Sequence, residues 1–213
     1  MNTPSSGRRA GDVILDLRNI SLSFGGVKAL TDISFDIREH EIRAIIGPNG
    51  AGKSSMLNVI NGVYRPQQGE IIYRGKHLRD MNTHAAAESG IARTFQNIAL
   101  FKGMTVLDNI MTGRNLKIQS NFLLQAFYLG PAQREEIAHR IKVEEEQDMC
   151  RFILDVNEQF GTTIVLIEHD MGVVMDISDR VVVLDYGKKI GDGTPDDIRS
   201  NQDVINAYLG VAH

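Results

Sequence analysis

Apolar and polar residues alternate along the early part of the chain. Ile14, Leu15, Leu17, Ile20, Leu22 and Phe24 mark one such run between Val13 and Phe24, and Ile33, Phe35 and Ile37 mark a second. A period of two predicts half-buried strands, read here as short antiparallel ones. Ile42 to Ile46 is an apolar run and predicts a further strand. The spacing then changes. Met56, Leu57 and Ile60 fall on one face of a helix, Gly62 stands where its C-cap belongs, and Pro66 and Gly69 punctuate a turn. Glu70 to Arg74 reads as a strand closed by Gly75, and Met81 to Gly90 as a helix that Gly90 stops.

The second half is less regular. Residues 115–131 hold an apolar cluster of Phe122, Leu123, Leu124, Phe127, Tyr128 and Leu129. It reads as a helix packed on its own domain, or as a surface docked on a partner. From Ala132 to Phe160 the pattern is one long charged helix or two abutting ones. Ile137 and Ile141 mark one apolar face; Met149, Phe152, Ile153, Val156 and Phe160 mark another. Thr162 to Ile167 is a β-branched strand, Met171 to Ser178 a helix, and Val181 to Leu184 a strand. Tyr186 to Lys189 turns into Ile190, and Thr194 to Leu209 forms a helical end piece. There is no internal repeat.

Composition narrows the picture. The chain has 213 residues, 42% hydrophobic and 23% charged, enough for one good core in an ordinary globular protein. A net charge of −4 argues against a general nucleic-acid binder. The single cysteine, Cys150, excludes an intramolecular disulfide and suits a reducing compartment. No run approaches the roughly 18 apolar residues of a membrane span. Residues 1–12 are polar, carry Arg8 and Arg9, and lead into no apolar stretch; they are expected to be a flexible tail of a cytoplasmic protein.

The chemistry concentrates just after the third strand. Gly47, Pro48, Asn49, Gly50, Ala51, Gly52, Lys53 and Ser54 fit the pattern G-x-x-x-x-G-K-[ST], with a strand before and a helix after. Glycines let the backbone wrap closely, so successive N–H groups point at phosphate oxygens. The helix aims its positive end at the same anion. Lys53 is expected to neutralise the β and γ phosphates and Ser54 to hold Mg²⁺, with Ser55 completing the cradle. A glycine-rich turn without a ligand is the competing reading; agreement of all fixed positions and both flanking elements disfavours it.

Further positions, taken together, resemble the ATP-binding cassette of ABC transporters over nearly the whole chain. Ser21-Leu22-Ser23-Phe24-Gly25-Gly26 is similar to the loop whose aromatic residue stacks on adenine. Phe24 would supply that face; by itself it would read as a core aromatic. Ala92-Arg93-Thr94-Phe95-Gln96 resembles the Q-loop, where Gln96 would bring an amide oxygen to Mg²⁺ and its water. Leu100 to Val106 continues that likeness into a helical subdomain that meets the membrane subunit. Leu166-Ile167-Glu168-His169-Asp170 resembles the switch motif, in which His169 would bond the γ-phosphate and polarise attacking water. Glu168-His169-Asp170-Met171 and the ending Asn206-Ala207-Tyr208-Leu209-Gly210 are similar to ATP-binding subunits of branched-chain amino acid importers.

The resemblance also implies what should lie between Gln96 and His169 and does not. There is no Leu-Ser-Gly-Gly-Gln-like signature loop, no apolar strand ending in Asp-Glu, and no short D-loop. Phe152-Ile153-Leu154-Asp155 has the apolar-then-Asp form, but its neighbours follow helical spacing and Val156 follows it. Val181 to Asp185 lies after the switch histidine and resembles the family's late strand. The likeness lapses in the polar stretch 142–148, which marks the seam of an internal deletion.

The resemblance implies an α/β P-loop NTPase with an N-terminal antiparallel β subdomain and a truncated helical subdomain. Residues 13–95 and 161–193 would form the ATP-binding core of a single nucleotide-binding domain, with 96–160 the truncated helical region and 194–213 the end piece. It implies ATP and Mg²⁺ as ligands, and a second ATPase subunit, transmembrane permease subunits and, indirectly, a solute-binding protein as partners. It places the chain on the inner face of the plasma membrane. A nucleotide-binding or interaction module without turnover is the alternative. A small-molecule kinase using the same loop is disfavoured by the antiparallel strands before it and by the switch motif.

Overall fold

A computed structural model of the chain describes residues 11–78, 82–94 and 146–209. The alternating runs form two long strands, β1 (Val13–Phe24) and β2 (Val27–Arg38), joined by the Gly25-Gly26 turn. They were expected as short strands. Each runs for 12 residues because the two pair along almost their entire lengths, from Val13 opposite Arg38 to Phe24 opposite Val27. Gly11 and Asp12, at the end of the expected tail, hydrogen-bond to the backbone of Glu39.

On its other edge β1 pairs with β4 (Gln68–Tyr73), which pairs with the two-residue β5 (Lys76–His77). β4 starts two residues before the expected Glu70 because its ladder with β1 reaches back to Gln68 opposite Ser21. The resulting antiparallel order is β2-β1-β4-β5.

The second sheet is mixed, in the order β6-β3-β7-β8. β3 (Ile42–Ile46) lies parallel to both β6 (Ile164–Leu166) and β7 (Arg180–Asp185), and β8 (Lys188–Gly193) turns back antiparallel to β7. Every residue of β3 is buried. Its alternate side chains enter two cores. Ile45, with Val182 and Leu184 of β7, faces the antiparallel sheet and the helix α1 (Lys53–Ile60), through Leu17, Phe35, Met56 and Val59. Ala44 and Ile46, with Val181 and Val183, face α4 (Met171–Ile177) and the C-terminal helices α5 (Pro195–Ser200) and α6 (Gln202–Leu209). Burial on both faces is the environment parallel strands require.

The expected single end piece is two helices. Asn201 has extended backbone, and its side chain accepts from the N–H groups of Asp203 and Val204, so it caps the second helix as the first one ends. α2 (Thr83–Glu88) falls inside the expected 81–90 span and is capped by Asn82. α3 (Glu146–Phe160) contains Phe152 to Asp155, so that stretch is helical, as its spacing indicates. The apolar cluster at 115–131 lies outside the described residues.

Candidate functional site

The phosphate loop connects the buried C-terminal end of β3 to the start of α1. Gly47 has φ 147°, and a side chain there would overlap the carbonyl oxygen of Leu184 on β7. Gly52 has φ 101° and is the N-cap of α1, so no side chain caps the helix. The first N–H groups of a helix have no intrahelical acceptor, and an anion is their natural partner. Pro48 is half-buried, Asn49 and Gly50 are exposed, and Ala51 is buried. The turn between β7 and β8 braces the loop: Gly187 N–H donates to the Ala51 carbonyl at 3.1 Å, and Thr31 N–H donates to the Gly187 carbonyl at 2.7 Å.

Lys53 is 7% exposed. Its ammonium donates to the carbonyls of Gly47 at 2.6 Å and Pro48 at 2.9 Å, so it lies across the mouth of the loop. Burial lowers its pKa. Ser54 is exposed and Ser55 half-exposed, both in the first turn of α1. Phe24 ends β1 and is 44% exposed; one edge rests on Tyr64, with ring centroids 4.9 Å apart and planes at 68°. The core reading of Phe24 therefore gives way to an exposed ring.

His169 follows β6. The β3–β6 ladder pairs Ala44 with Leu166, and counting on in that register brings His169 level with Gly47. The histidine is exposed. Its backbone is fixed by Glu168, whose carboxylate accepts from the N–H groups of His169 at 2.7 Å and Asp170 at 3.3 Å, while Asp170 caps α4. Loop and switch thus emerge side by side from the C-terminal ends of adjacent parallel strands, where open α/β sheets bind ligands. Gln96 lies outside the described residues. The segment leading toward it is tied to α1 by Arg93, which donates to the Asn58 side chain at 2.5 Å.

Two contributors were not legible beforehand: Tyr64 behind Phe24 and Gly187 beneath the loop. Each acts over a long sequence separation that no local pattern encodes. Among the described residues no group of three or more His, Cys, Asp or Glu could hold a metal ion. Nor is any helix among them long and apolar enough to cross a membrane.

A buried parallel strand running into a glycine loop, an uncapped helix behind it and an antiparallel sheet alongside define a P-loop nucleotide-binding domain. A family model described as "ABC transporter" matches residues 30–165, and one described as "Branched-chain amino acid ATP-binding cassette transporter" matches residues 188–213. The chain belongs to the ATP-binding subunits of ABC transporters, in the branched-chain amino acid importer type, and is by family an ABC-type ATPase.

Two relatives are the high-affinity branched-chain amino acid transport ATP-binding proteins BraF of Pseudomonas aeruginosa and LivG of Salmonella typhimurium. They are 31% and 32% identical, and each match covers 93% of this chain and 98% of the relative. Both matches run over 251 residues, more than this chain's 213, so the relatives carry stretches with no counterpart here. Among solved structures, the ADP conformation of MJ1267, an ATP-binding cassette of an ABC transporter, superposes with a TM-score of 0.76 at 24% identity, covering 94% of this chain and 100% of that one. A dimeric post-hydrolysis state of the cassette MJ0796, bound to ADP and Pi, gives 0.65 at 20% identity, covering 85% and 99%.

Proposed function

We propose that the chain is the ATP-binding subunit of an importer for branched-chain amino acids or related small solutes, coupling ATP binding and hydrolysis to uptake. The observation that carries this reading is the C-terminal match at residues 188–213, joined to near-full-length relatives of that importer type. In it, Gly47 to Ser55 cradle the phosphates, Lys53 turns from the loop carbonyls to the β and γ phosphates, and Phe24 stacks on adenine. His169 bonds the γ-phosphate and orients the attacking water.

Ser54 and Gln96 are the residues that would hold Mg²⁺. The hydroxyl and amide oxygens of these two residues are hard donors of the kind this cation takes. When bound it neutralises phosphate charge. The partners in this reading are a second ATPase subunit, a copy or a paralogue, and transmembrane permease subunits that hold the chain at the inner face of the membrane. A solute-binding protein delivers the cargo to them.

A second reading is favoured by a specific observation. β6 ends its sheet among the described residues, and Ile164, Val165 and Leu166 are only half-buried where β3 is fully buried. Together with the longer matches in the relatives and the absent Asp-Glu strand and signature loop, this supports an internal deletion at 142–148. The product would be a module that binds nucleotide without turning it over.

One experiment separates the two. The purified chain is titrated with a fluorescent ATP analogue, and phosphate release is measured with Mg²⁺ and the permease subunits. Binding with release supports the importer ATPase. Binding with release at least about 10²-fold below an intact relative supports the module, since loss of a general base typically costs 10²–10⁴ in rate. No binding overturns both.

A further inference from the structure

The phosphate loop and the antiparallel sheet meet through two glycines. Gly52 closes the loop, and Gly187 lies in the turn between β7 and β8. A side chain on either would press on the carbonyl oxygen of Ala29 on β2, at 2.8 and 2.6 Å respectively. Loop, turn and β2 are therefore stacked backbone on backbone. Asp185 pairs with Lys188, so the turn itself is only Tyr186 and Gly187. Both have positive φ, 43° and 74°, the geometry of a tight hairpin turn. Tyr186 is 88% exposed and Gly187 is buried. The buried residue bonds both ways. Its N–H donates to the Ala51 carbonyl of the loop at 3.1 Å, and its carbonyl accepts from the Thr31 N–H of β2 at 2.7 Å. β2 begins at Val27, which stands opposite Phe24. Gly187 thus lies between the loop that would hold phosphates and the strand pair that would hold the base.

We propose that Gly187 is a positioning residue, a spacer one backbone thick that sets the span between the phosphate loop and the Phe24 ring. A ligand with both base and phosphates must bridge that span, whereas phosphates alone need only the loop. A methyl group at 187 would press on β2 and not on the loop. Its three nearest neighbours, at 2.6, 3.0 and 3.4 Å, all belong to Ala29 and Leu30. The turn stays bonded to Ala51 while β2, and Phe24 with it, is displaced. The spacer role rests on the reading of this loop and ring as a nucleotide site.

The test compares Gly187→Ala with Val204→Ala, a truncation in the other core, where Val204 is 4% exposed beside Ile198 and Val183. Both variants should melt below wild type. Affinities for ATP and for inorganic triphosphate are measured with Mg²⁺ by displacement of a fluorescent ATP analogue. The spacer expects Gly187→Ala to bind ATP at least about 5-fold more weakly, the low end of what stacking a base is worth, and triphosphate within about 2-fold of wild type. Val204→Ala should keep the wild-type ratio of the two affinities. Gly187→Ala added to Phe24→Ala should weaken ATP no further, because the ring it acts through is gone. An equal loss of both ligands, unchanged ATP affinity, the same altered ratio in Val204→Ala, or additive losses in the double variant overturns the role. So does a Thr31 amide in the wild-type chain that exchanges as fast as an unbonded one, which needs no variant to fold. A wild type that binds neither ligand sinks the nucleotide reading and the spacer with it; a wild type that binds both confines any failure to Gly187.

Discussion

A buried ammonium costs free energy unless its protons are bonded, and Lys53 meets that cost with the Gly47 and Pro48 carbonyls. In the proposed nucleotide site the residue would therefore contribute little net stability and much binding. Lys53→Met is expected to leave the melting temperature within a few degrees of wild type while ATP affinity falls about 10- to 100-fold, the loss of one or two charge-assisted bonds. Calorimetric titration beside a melting curve reads both. Phe24 is the opposite kind of residue, exposed and outside the core. Phe24→Ala is expected to weaken ATP and GTP alike, by roughly 5- to 150-fold, because a ring stacks on any base. A large loss for ATP with none for GTP would mean that recognition runs through polar contacts instead. The loop lysine could be read from its motif because spacing alone defines it. Tyr64, which backs Phe24, could not, since the contact joins residues forty positions apart.

Among the strands, two arginines in register make opposite contributions. Arg43 on β3 sits opposite Arg180 on β7. Arg180 donates to Glu41 at 2.9 and 3.1 Å and to Asp36 at 3.0 Å, so it ties β7 to β2 and to the residue that leads into β3. Glu41 is fully buried, and Arg180→Met would strand its charge at a cost of about 3–5 kcal/mol. Arg43 is equally buried, yet only one of its nitrogens is bonded, to Asp192, while Nε and Nη1 have no partner. Arg43→Met is expected to be neutral or to stabilise by about 1–4 kcal/mol. Urea unfolding of the pair checks the signs.

The same network sets an acid response. Burial would raise the Asp36 pKa, but bonding to Arg180, then to Arg38, carries it below its ordinary 3.8. Its contribution is therefore complete above that value and is lost as pH falls through the lower folded one. Asp36→Asn should lower stability at neutral pH and flatten the stability curve below pH 4; an unchanged slope there would show that other carboxylates dominate. An arginine inside Ile42 to Ile46 gave no warning of its burial, because the acid that accepts from it, Asp192, comes from β8. The strand itself was legible from its apolar neighbours.

At the scale of the molecule, the outline of both sheets followed from alternating and continuous apolar runs, and the order of loop and switch from their motifs. The pairing of β1 with β4 did not, because it depends on partners up to about sixty positions away, Leu15 with Tyr73. Replacing residues 142–148 with the longer corresponding stretch of the Salmonella relative should raise the melting temperature and switch on phosphate release. A graft that folds but gains neither would count against a deletion at that seam.

Among the described residues β6 is gripped along one side only, through three residues paired with Ile42, Arg43 and Ala44. A parallel strand advances about 3.3 Å per residue. If so short a grip slips by one position, the histidine that follows it moves by about that distance, past the roughly 3 Å reach of a hydrogen bond. If His169 is the γ-phosphate switch proposed above, the strand is its ruler, and a ruler clamped on one edge sets how often the histidine stands at the right mark.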